Sequence, residues 1–142
     1  MRLQRSTSIA LCSLLEAASD PVRQISVPEI AARFGFSPHH VAKVLRQLVR
    51  AGLVESTRGA GGGYRFTGNA RRLALYDVIV LFEDLGDTPA PGAAPEHRTD
   101  VGQAIARVLG EIDETAKATF RSITIDTMLK LVGRMRSAPP PT

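Results

Sequence analysis

The sequence predicts a mainly α-helical protein with a small β-hairpin near its middle and a long helix in its C-terminal third. Apolar residues recur at steps of three and four in several segments, which is the helical period. Two runs rich in β-branched and aromatic residues, 53–58 and 64–67, flank the sequence GAGGG at residues 59–63, as expected for a hairpin. A stretch with three prolines and two glycines, residues 86–100, separates this part from the last helices.

Two consecutive helices joined by a tight turn are predicted after a first helix over residues 7–19. The first of the pair begins at Pro28, because the proline ring fixes a φ angle that suits the first helical position, and it ends at Gly35. Ser37 can cap the free amides of the next helix, which begins at Pro38 and extends to about residue 51. Such a pair is typical of a helix-turn-helix, whose second helix enters the major groove of DNA.

The second helix of this pair has an apolar face and a basic, hydrogen-bonding face. The apolar face consists of Val41, Val44, Leu45 and Leu48. Polar residues near the helix start are predicted to contact bases or phosphates, namely Ser37, His39, His40 and Lys43. Arg46 and Arg50, nearer its end, are predicted to contact phosphates, and Gln47 shares their face. The alternative for the residues near the helix start is an uninvolved surface, and for Arg46 and Arg50 it is a contact with bases.

The tip of the predicted hairpin lacks side chains over most of its length. The backbone amides of Gly61 and Gly62 could therefore lie against phosphates or within a minor groove, with Arg58 and Arg65 beside them. Tyr64, at the start of the second strand, is included among the predicted DNA contacts. A nucleotide-binding loop is excluded, because the tip lacks a Lys-Ser/Thr ending and a strand follows where a helix would be required.

Positive charge is concentrated in the first half of the chain. Residues 1–72 contain 11 Lys and Arg against 4 Asp and Glu, whereas residues 73–142 contain 7 against 10. The two halves therefore carry +7 and −3, which together give the net charge of +4. A basic half that also contains the helix-turn-helix suits a polyanionic partner such as double-stranded DNA.

A specific pattern surrounds the hairpin. It consists of AGLV at residues 51–54, then Ser56, Arg58-Gly59, and GGGY at residues 61–64, with MRL at residues 1–3 and LYDVI at residues 75–79 in addition. These stretches resemble the Rrf2 family of winged-helix transcription regulators, which contains the IscR and NsrR types. The resemblance covers residues 1–85 well and the C-terminal third in layout. It implies a bacterial DNA-binding repressor and matches the family's base-reading positions to Ser37, His39, His40 and Lys43.

A long amphipathic helix is predicted over residues 99–122. Its apolar residues recur at steps of three or four and comprise Val101, Ile105, Val108, Ile112, Ala116, Phe120 and Ile123. The resemblance implies that this helix pairs with its copy in a second subunit, with Val101, Ile105, Val108, Ile112 and Phe120 as dimerisation residues. The alternative is that the helix folds back on its own domain. Thr124 is predicted to cap a last helix.

The predicted domain organisation has four parts. Residues 1–85 form a winged helix-turn-helix domain that ends with a helix over residues 73–85. Residues 86–99 form a flexible loop, residues 100–136 the dimerisation helix and a short C-terminal helix, and residues 137–142 a disordered tail. No apolar stretch approaches the roughly 20 residues that span a membrane, so no membrane span is expected.

The residues that would hold a sensing cofactor are absent. Cluster-binding members of the resembled family carry three cysteines in the loop that matches residues 86–100, whereas this chain has a single cysteine, Cys12. Ser8 replaces the acidic ligand of the NsrR type, and His97 is the one good metal ligand in the loop. We therefore predict no cluster, no metal and no cofactor. Cys12 is interpreted as a small buried side chain, with a thiol switch as the alternative.

The predicted function is that of a cytoplasmic transcription regulator, a repressor by analogy with the family, which binds a pseudo-palindromic operator as a homodimer. No Ser/His/Asp or Cys/His arrangement is legible, so the chain is not predicted to be an enzyme. One alternative is a winged-helix module that binds an acidic protein. Another is the same regulator sensing a small effector or haem through residues 86–100, with His97 as a ligand.

Overall fold

The fold combines helices with one antiparallel hairpin, which confirms the predicted fold class. The computed structural model describes residues 1–85, 92 and 94–141. In chain order the elements are α1 (Arg5–Ser19), α2 (Val27–Phe34), α3 (Pro38–Arg50), β1 (Val54–Thr57), β2 (Gly63–Phe66), α4 (Leu75–Ile79), a 3-10 helix (Pro95–Arg98), α5 (Asp100–Ser122) and α6 (Ile125–Ser137). No helix in the described part of the chain is long and apolar enough to cross a membrane.

Serine caps fix the starts of α2 and α3. The Ser26 hydroxyl accepts from the Glu29 N–H at 3.2 Å, so α2 begins at Val27 and Pro28 is its second residue. The prediction that Pro28 is the first helical residue is therefore wrong by one position. Gly35 ends α2 in the left-handed region with a φ of 71°, a conformation that glycine adopts without steric cost.

The wing is a two-stranded hairpin extended by a short bridge. β1 and β2 pair antiparallel with Val54 opposite Phe66, and both of these side chains are buried. On the other side of β2, the backbones of Ile25 and Tyr64 exchange two hydrogen bonds of 2.8 Å. The segment before α2 is therefore attached to the wing.

One apolar cluster holds the helices and the wing together. Residues from α1, α2, α3, both strands, α4 and α6 contribute to it. Its fully buried large side chains include Ile9, Leu14, Val41, Leu45, Leu48 and Ile125. Burying a side chain of this size contributes about 1.5–3 kcal/mol. The apolar face predicted for α3 is thus the face that α3 turns toward the core.

The helix predicted over residues 73–85 is much shorter in the structure, where α4 covers only Leu75–Ile79. The reason is tertiary. The Leu75 N–H donates to the Ile123 carbonyl and the Ile125 N–H to the Leu73 carbonyl, each at 2.8 Å. Residues 73 and 74 are therefore paired with the junction of α5 and α6, and α4 begins only at Leu75. Residues 80–82 form turns, and residues 83–85 are irregular.

The last two helices both contact the rest of the domain. Near the end of α5 the Arg121 guanidinium lies 4.2 Å from the centre of the Tyr76 ring on α4. Thr124 caps α6 as predicted, with the Thr127 N–H donating to its hydroxyl at 3.2 Å. α6 then packs against α1, and Nη2 of its Arg136 lies 3.7 Å from Oε1 of Glu16.

Part of the predicted flexible loop, residues 86–91 and 93, lies outside the described residues. In its described part, Pro95–Arg98 form a turn of 3-10 helix that the sequence analysis did not predict. This turn packs on the start of α5, where a Cβ at Gly102 would lie 1.9 Å from the Glu96 carbonyl oxygen. Gly102 therefore permits a backbone approach that another residue would prevent.

Candidate nucleic-acid interface

α3 exposes a row of basic and polar side chains along one side. His39, Lys43, Arg46, Gln47 and Arg50 are all exposed, whereas the four apolar residues of this helix are buried. Neither Lys43 nor Arg50 forms an ion pair within the described residues. A helix of about 20 Å that presents free cations and an amide on its outer side has the dimensions and chemistry to enter a major groove.

Ser37 and His40, two of the predicted contacts, each already have a side-chain hydrogen bond within the protein. The Ser37 hydroxyl accepts from the His40 N–H at 3.4 Å and so acts as the helix cap. His40 is half-buried, and its Nε2 shares a hydrogen bond of 2.9 Å with the Ser6 hydroxyl on α1. The imidazole therefore has only Nδ1 left for a further partner.

The N-terminus of α1 lies beside the helix-turn-helix. Besides Ser6, its Arg5 guanidinium lies 4.8 Å from the centre of the Phe36 ring in the turn before α3. Phe36 in turn stacks on Phe34 with ring centres 5.6 Å apart. Ser6 is not among the contacts predicted from the sequence, and no local signal indicates it, because its partner is 34 residues away in the chain.

The two arginines of the wing are in different situations. Arg65 forms an ion pair with Glu55 across the hairpin, where the two residues are opposite each other. Arg58 is exposed, and within the described part of the chain it has no carboxylate partner. Tyr64 is half-buried, with its backbone bonded to Ile25. Of these residues, Arg58 has the side chain that is free to reach a phosphate.

The glycines of the tip have two different structural roles. Gly61 is exposed with a φ of 76° and open space around the position of a Cβ. At Gly62, by contrast, a Cβ would lie 2.3 Å from the Thr57 carbonyl oxygen and 2.9 Å from that of Gly59. At Gly63 it would lie 2.6 Å from the Ile25 carbonyl oxygen. Gly62 and Gly63 are therefore required by the hairpin itself, whether or not DNA approaches.

A model of the Rrf2 family, described as iron-dependent transcriptional regulators, matches residues 3–131. This chain belongs to the Rrf2 family. The HTH-type transcriptional regulator BadM of Rhodopseudomonas palustris is 48% identical to it over 136 residues, which are 96% of this chain and 86% of that protein. Protein aau3 of Rhizobium meliloti is 39% identical over 84 residues, or 59% and 54% of the two chains.

Solved Rrf2-like structures have the same fold. IscR of T. potens superimposes with a TM-score of 0.77 at 23% identity, over 98% of this chain and 93% of that one. CymR, the global cysteine regulator of B. subtilis, gives a TM-score of 0.75 at 23% identity, over 92% and 98% of the two chains. The predicted membership of this winged-helix family is therefore confirmed, and the chain is a transcriptional regulator that binds DNA.

The side chains of this Rrf2 protein do not fit an iron–sulfur cluster. Such clusters are held mainly by several thiolates, and the chain contains one cysteine. Burial raises the pKa of the half-buried Cys12 thiol and Glu16 raises it further, while Arg5 lowers it. The net shift disfavours the thiolate that metals and oxidants require. Across residues 1–85, 92 and 94–141, no group of three or more His, Cys, Asp or Glu side chains is arranged to hold a metal ion.

α5 of this Rrf2 protein exposes a stripe of large apolar side chains. Val101 is 72% exposed and Ile105, Val108 and Ile112 are 55–59% exposed, with Leu109 beside them at 56%. Phe120, the fifth predicted dimerisation residue, is half-buried. The half of α5 toward its N-terminus is thus the part whose apolar face lacks a partner within the described chain.

Proposed function

We propose that this Rrf2 regulator represses transcription as a homodimer bound to a pseudo-palindromic operator, and that it does so without an iron–sulfur cluster. The observation that carries the proposal is the exposed basic side of α3, where Lys43 and Arg50 form no ion pair within the described residues. Repression is the expected result when a dimer occupies an operator that overlaps a promoter. Because its ligand is chromosomal DNA, we propose that the protein acts in the bacterial cytoplasm.

In this proposal each subunit inserts the start of α3 into a major groove. His39 and Lys43 reach base edges, because the first turns of a recognition helix lie deepest in the groove. Ser37 and His40 retain their intramolecular hydrogen bonds and contribute through their remaining lone pair or ring nitrogen. Arg46 and Arg50, further along α3, bind phosphates and set the register of the protein on the duplex.

We assign the wing to the sugar–phosphate backbone beside this groove. Arg58 supplies a free guanidinium, and the exposed amide of Gly61 is open to an approaching phosphate. Gly62 and Tyr64 hold the shape of the wing and contribute backbone groups. Arg65 is excluded from the assignment, because it is paired with Glu55.

We infer that the second subunit binds through α5. The stripe of Val101, Ile105, Val108 and Ile112 is too apolar to be an ordinary solvated face, and like faces of two such helices can cover one another. A two-fold dimer would present its two copies of α3 to half-sites one or two helical turns apart. Phe120 is expected to stabilise α5 from within its own subunit.

Selection of bound duplexes from a random-sequence library tests the proposal. We expect an enriched inverted repeat with half-site centres about 10 or about 20 base pairs apart. A mobility shift at stated salt should then distinguish this duplex from a scrambled one. Enrichment of an asymmetric motif would contradict the dimer, and equal binding of all duplexes would leave an acidic protein as the better partner for the basic face.

Native mass spectrometry of protein purified without oxygen tests the cofactor and the subunit number together. We expect a dimer whose mass equals twice that of the chain, and no iron or sulfide. A mass increase from bound iron and sulfide would contradict the cluster-free proposal. A smaller organic adduct would identify an effector, and the change in operator affinity after its removal would measure its effect.

A further inference from the structure

Glu83, just after α4, is hydrogen-bonded to the start of α1. Its carboxylate accepts from the Gln4 N–H at 3.1 and 3.2 Å, and from the Thr7 hydroxyl at 2.6 Å. Thr7 is completely buried, and Glu83 is half-buried. These bonds join residues that are 79 and 76 positions apart in the chain.

These bonds supply what the first turn of α1 lacks. Gln4 is the N-cap residue of α1, and its side chain makes no capping hydrogen bond. The first turn of α1 also contains no acidic residue. A helix start needs acceptors for its free amides and is stabilised by negative charge. Glu83 provides both from a different part of the chain.

The first turn of α1, which Glu83 holds, also contacts α3 and the turn that precedes it. Ser6, next to Thr7, shares the 2.9 Å hydrogen bond with His40 in the first turn of α3. Arg5 lies over the Phe36 ring in the turn that precedes α3. The first turn of α1 therefore has Glu83 as a partner on one side and the start of α3 on another.

We propose that Glu83 is a positioning residue for DNA recognition. It fixes the first turn of α1, and this turn fixes the start of α3 through Ser6 and His40. Without the carboxylate the turn frays, because the Gln4 amide and the Thr7 hydroxyl lose their acceptor. The His40 ring and the base-reading start of α3 then sample more orientations, which weakens discrimination between sequences more than attraction to phosphates. This inference rests on the proposed reading of DNA by α3.

The experiment compares Glu83→Ala with Asp20→Ala. Asp20 is an exposed acid at the opposite end of α1, so the two variants each remove one negative charge beside an end of this helix. The probes are a duplex enriched from a random library by the wild-type protein and a scrambled duplex of equal length. Fluorescence anisotropy at fixed salt gives both affinities, and their ratio measures discrimination.

We expect Glu83→Ala to lower the discrimination ratio about tenfold, in line with the loss of hydrogen bonds to a charged group. Asp20→Ala should leave the ratio unchanged. Glu83→Gln keeps one carbonyl acceptor and should restore part of the ratio, whereas Thr7→Val should lose part of it. Thermal unfolding identifies variants that do not fold. If Glu83→Ala is one of them, the Gln and Val variants test the proposal.

A double-mutant cycle tests whether Glu83 acts through α1. If it does, Glu83→Ala should have little further effect on the ratio once Ser6→Ala has removed the contact with His40. Additive effects of the two substitutions would overturn the proposal, as would an unchanged ratio in Glu83→Ala. If the wild-type protein itself binds both duplexes equally, the proposed DNA-reading function fails instead.

Discussion

Lys43 and Arg58 are both exposed cations, but they belong to different parts of the interface. Lys43 lies one turn into α3, on the side that faces away from the core. Arg58 immediately follows β1, at the tip of the wing. Neither has an ion-pair partner in the described part of the chain. Their positions predict different roles, one at base edges and the other at phosphates.

Replacement of each residue by alanine should separate these roles. Lys43→Ala should change the base preferred at one position per half-site, at a cost of about 1–3 kcal/mol for the preferred sequence. Arg58→Ala should weaken binding to all duplexes alike and reduce the slope of log affinity against log salt by about one. Affinities for a panel of single-base variants at several salt concentrations would measure both effects. Equal losses on every sequence for both variants would show that the assignment of Lys43 is wrong.

Gly62 and Gly61 offer a second comparison at single positions. Gly62→Ala should distort the wing, because its Cβ would lie 2.3 Å from a backbone oxygen that cannot move aside. The Cβ added by Gly61→Ala has no atom within 4 Å, so the only cost is that of the positive φ, about 1 kcal/mol. The unfolding temperature and the DNA affinity should therefore both fall more for Gly62→Ala than for Gly61→Ala. The opposite order of DNA affinities would indicate that the Gly61 amide contacts DNA closely.

At the scale of elements, local signals placed the starts of the helices correctly to within two residues. Ser37 and Pro38 fix the start of α3 by capping and by ring geometry, and both effects act within one turn. The length of α4 is predicted less well, because apolar spacing predicts a helix over residues 73–85 and the structure has one over Leu75–Ile79. Its start is decided by backbone pairing with the junction of α5 and α6, some 50 residues later. Apolar spacing contains no information about such pairing.

α5 provides a test of association at the level of an element. Val108→Asp should raise the dimer dissociation constant by about two orders of magnitude or more, because an unpaired carboxylate would be buried between the subunits. Ala118→Asp introduces the same charge at an exposed position on another side of α5 and should leave the dimer intact. Sedimentation equilibrium measures both constants. A wild-type protein that stays monomeric would contradict the proposed dimer.

At the scale of the whole molecule, α6 returns to the core built by the N-terminal helices. Ile125, its first residue, is completely buried in the cluster that includes residues of α1 and α3. After α5, the chain therefore packs back onto its N-terminal core at the start of α6. Positive charge is concentrated in residues 1–72, the part of the chain that contains α3 and the wing.

Truncation of Ile125 should destabilise the entire fold. We expect Ile125→Ala to lower the free energy of unfolding by about 2–5 kcal/mol, through lost burial and the cavity that remains. Leu131→Ala, on the same helix but 41% exposed, should cost less than about 1 kcal/mol. Denaturant titrations at one fixed protein concentration would compare the variants. Equal losses would show that α6 is not anchored by Ile125.

The sequence by itself determined the helix-turn-helix, the glycine-rich hairpin, the basic side of α3 and the lack of cluster-binding cysteines. All of these depend on residue type and on spacing within a few turns. Only the tertiary structure decided that Ser6 holds His40, that Glu83 caps α1 and that Ile25 pairs with Tyr64. Each of these contacts joins distant residues that have many equivalent partners in the sequence. The choice among those partners is made by the packing of the whole core, which local pattern does not contain.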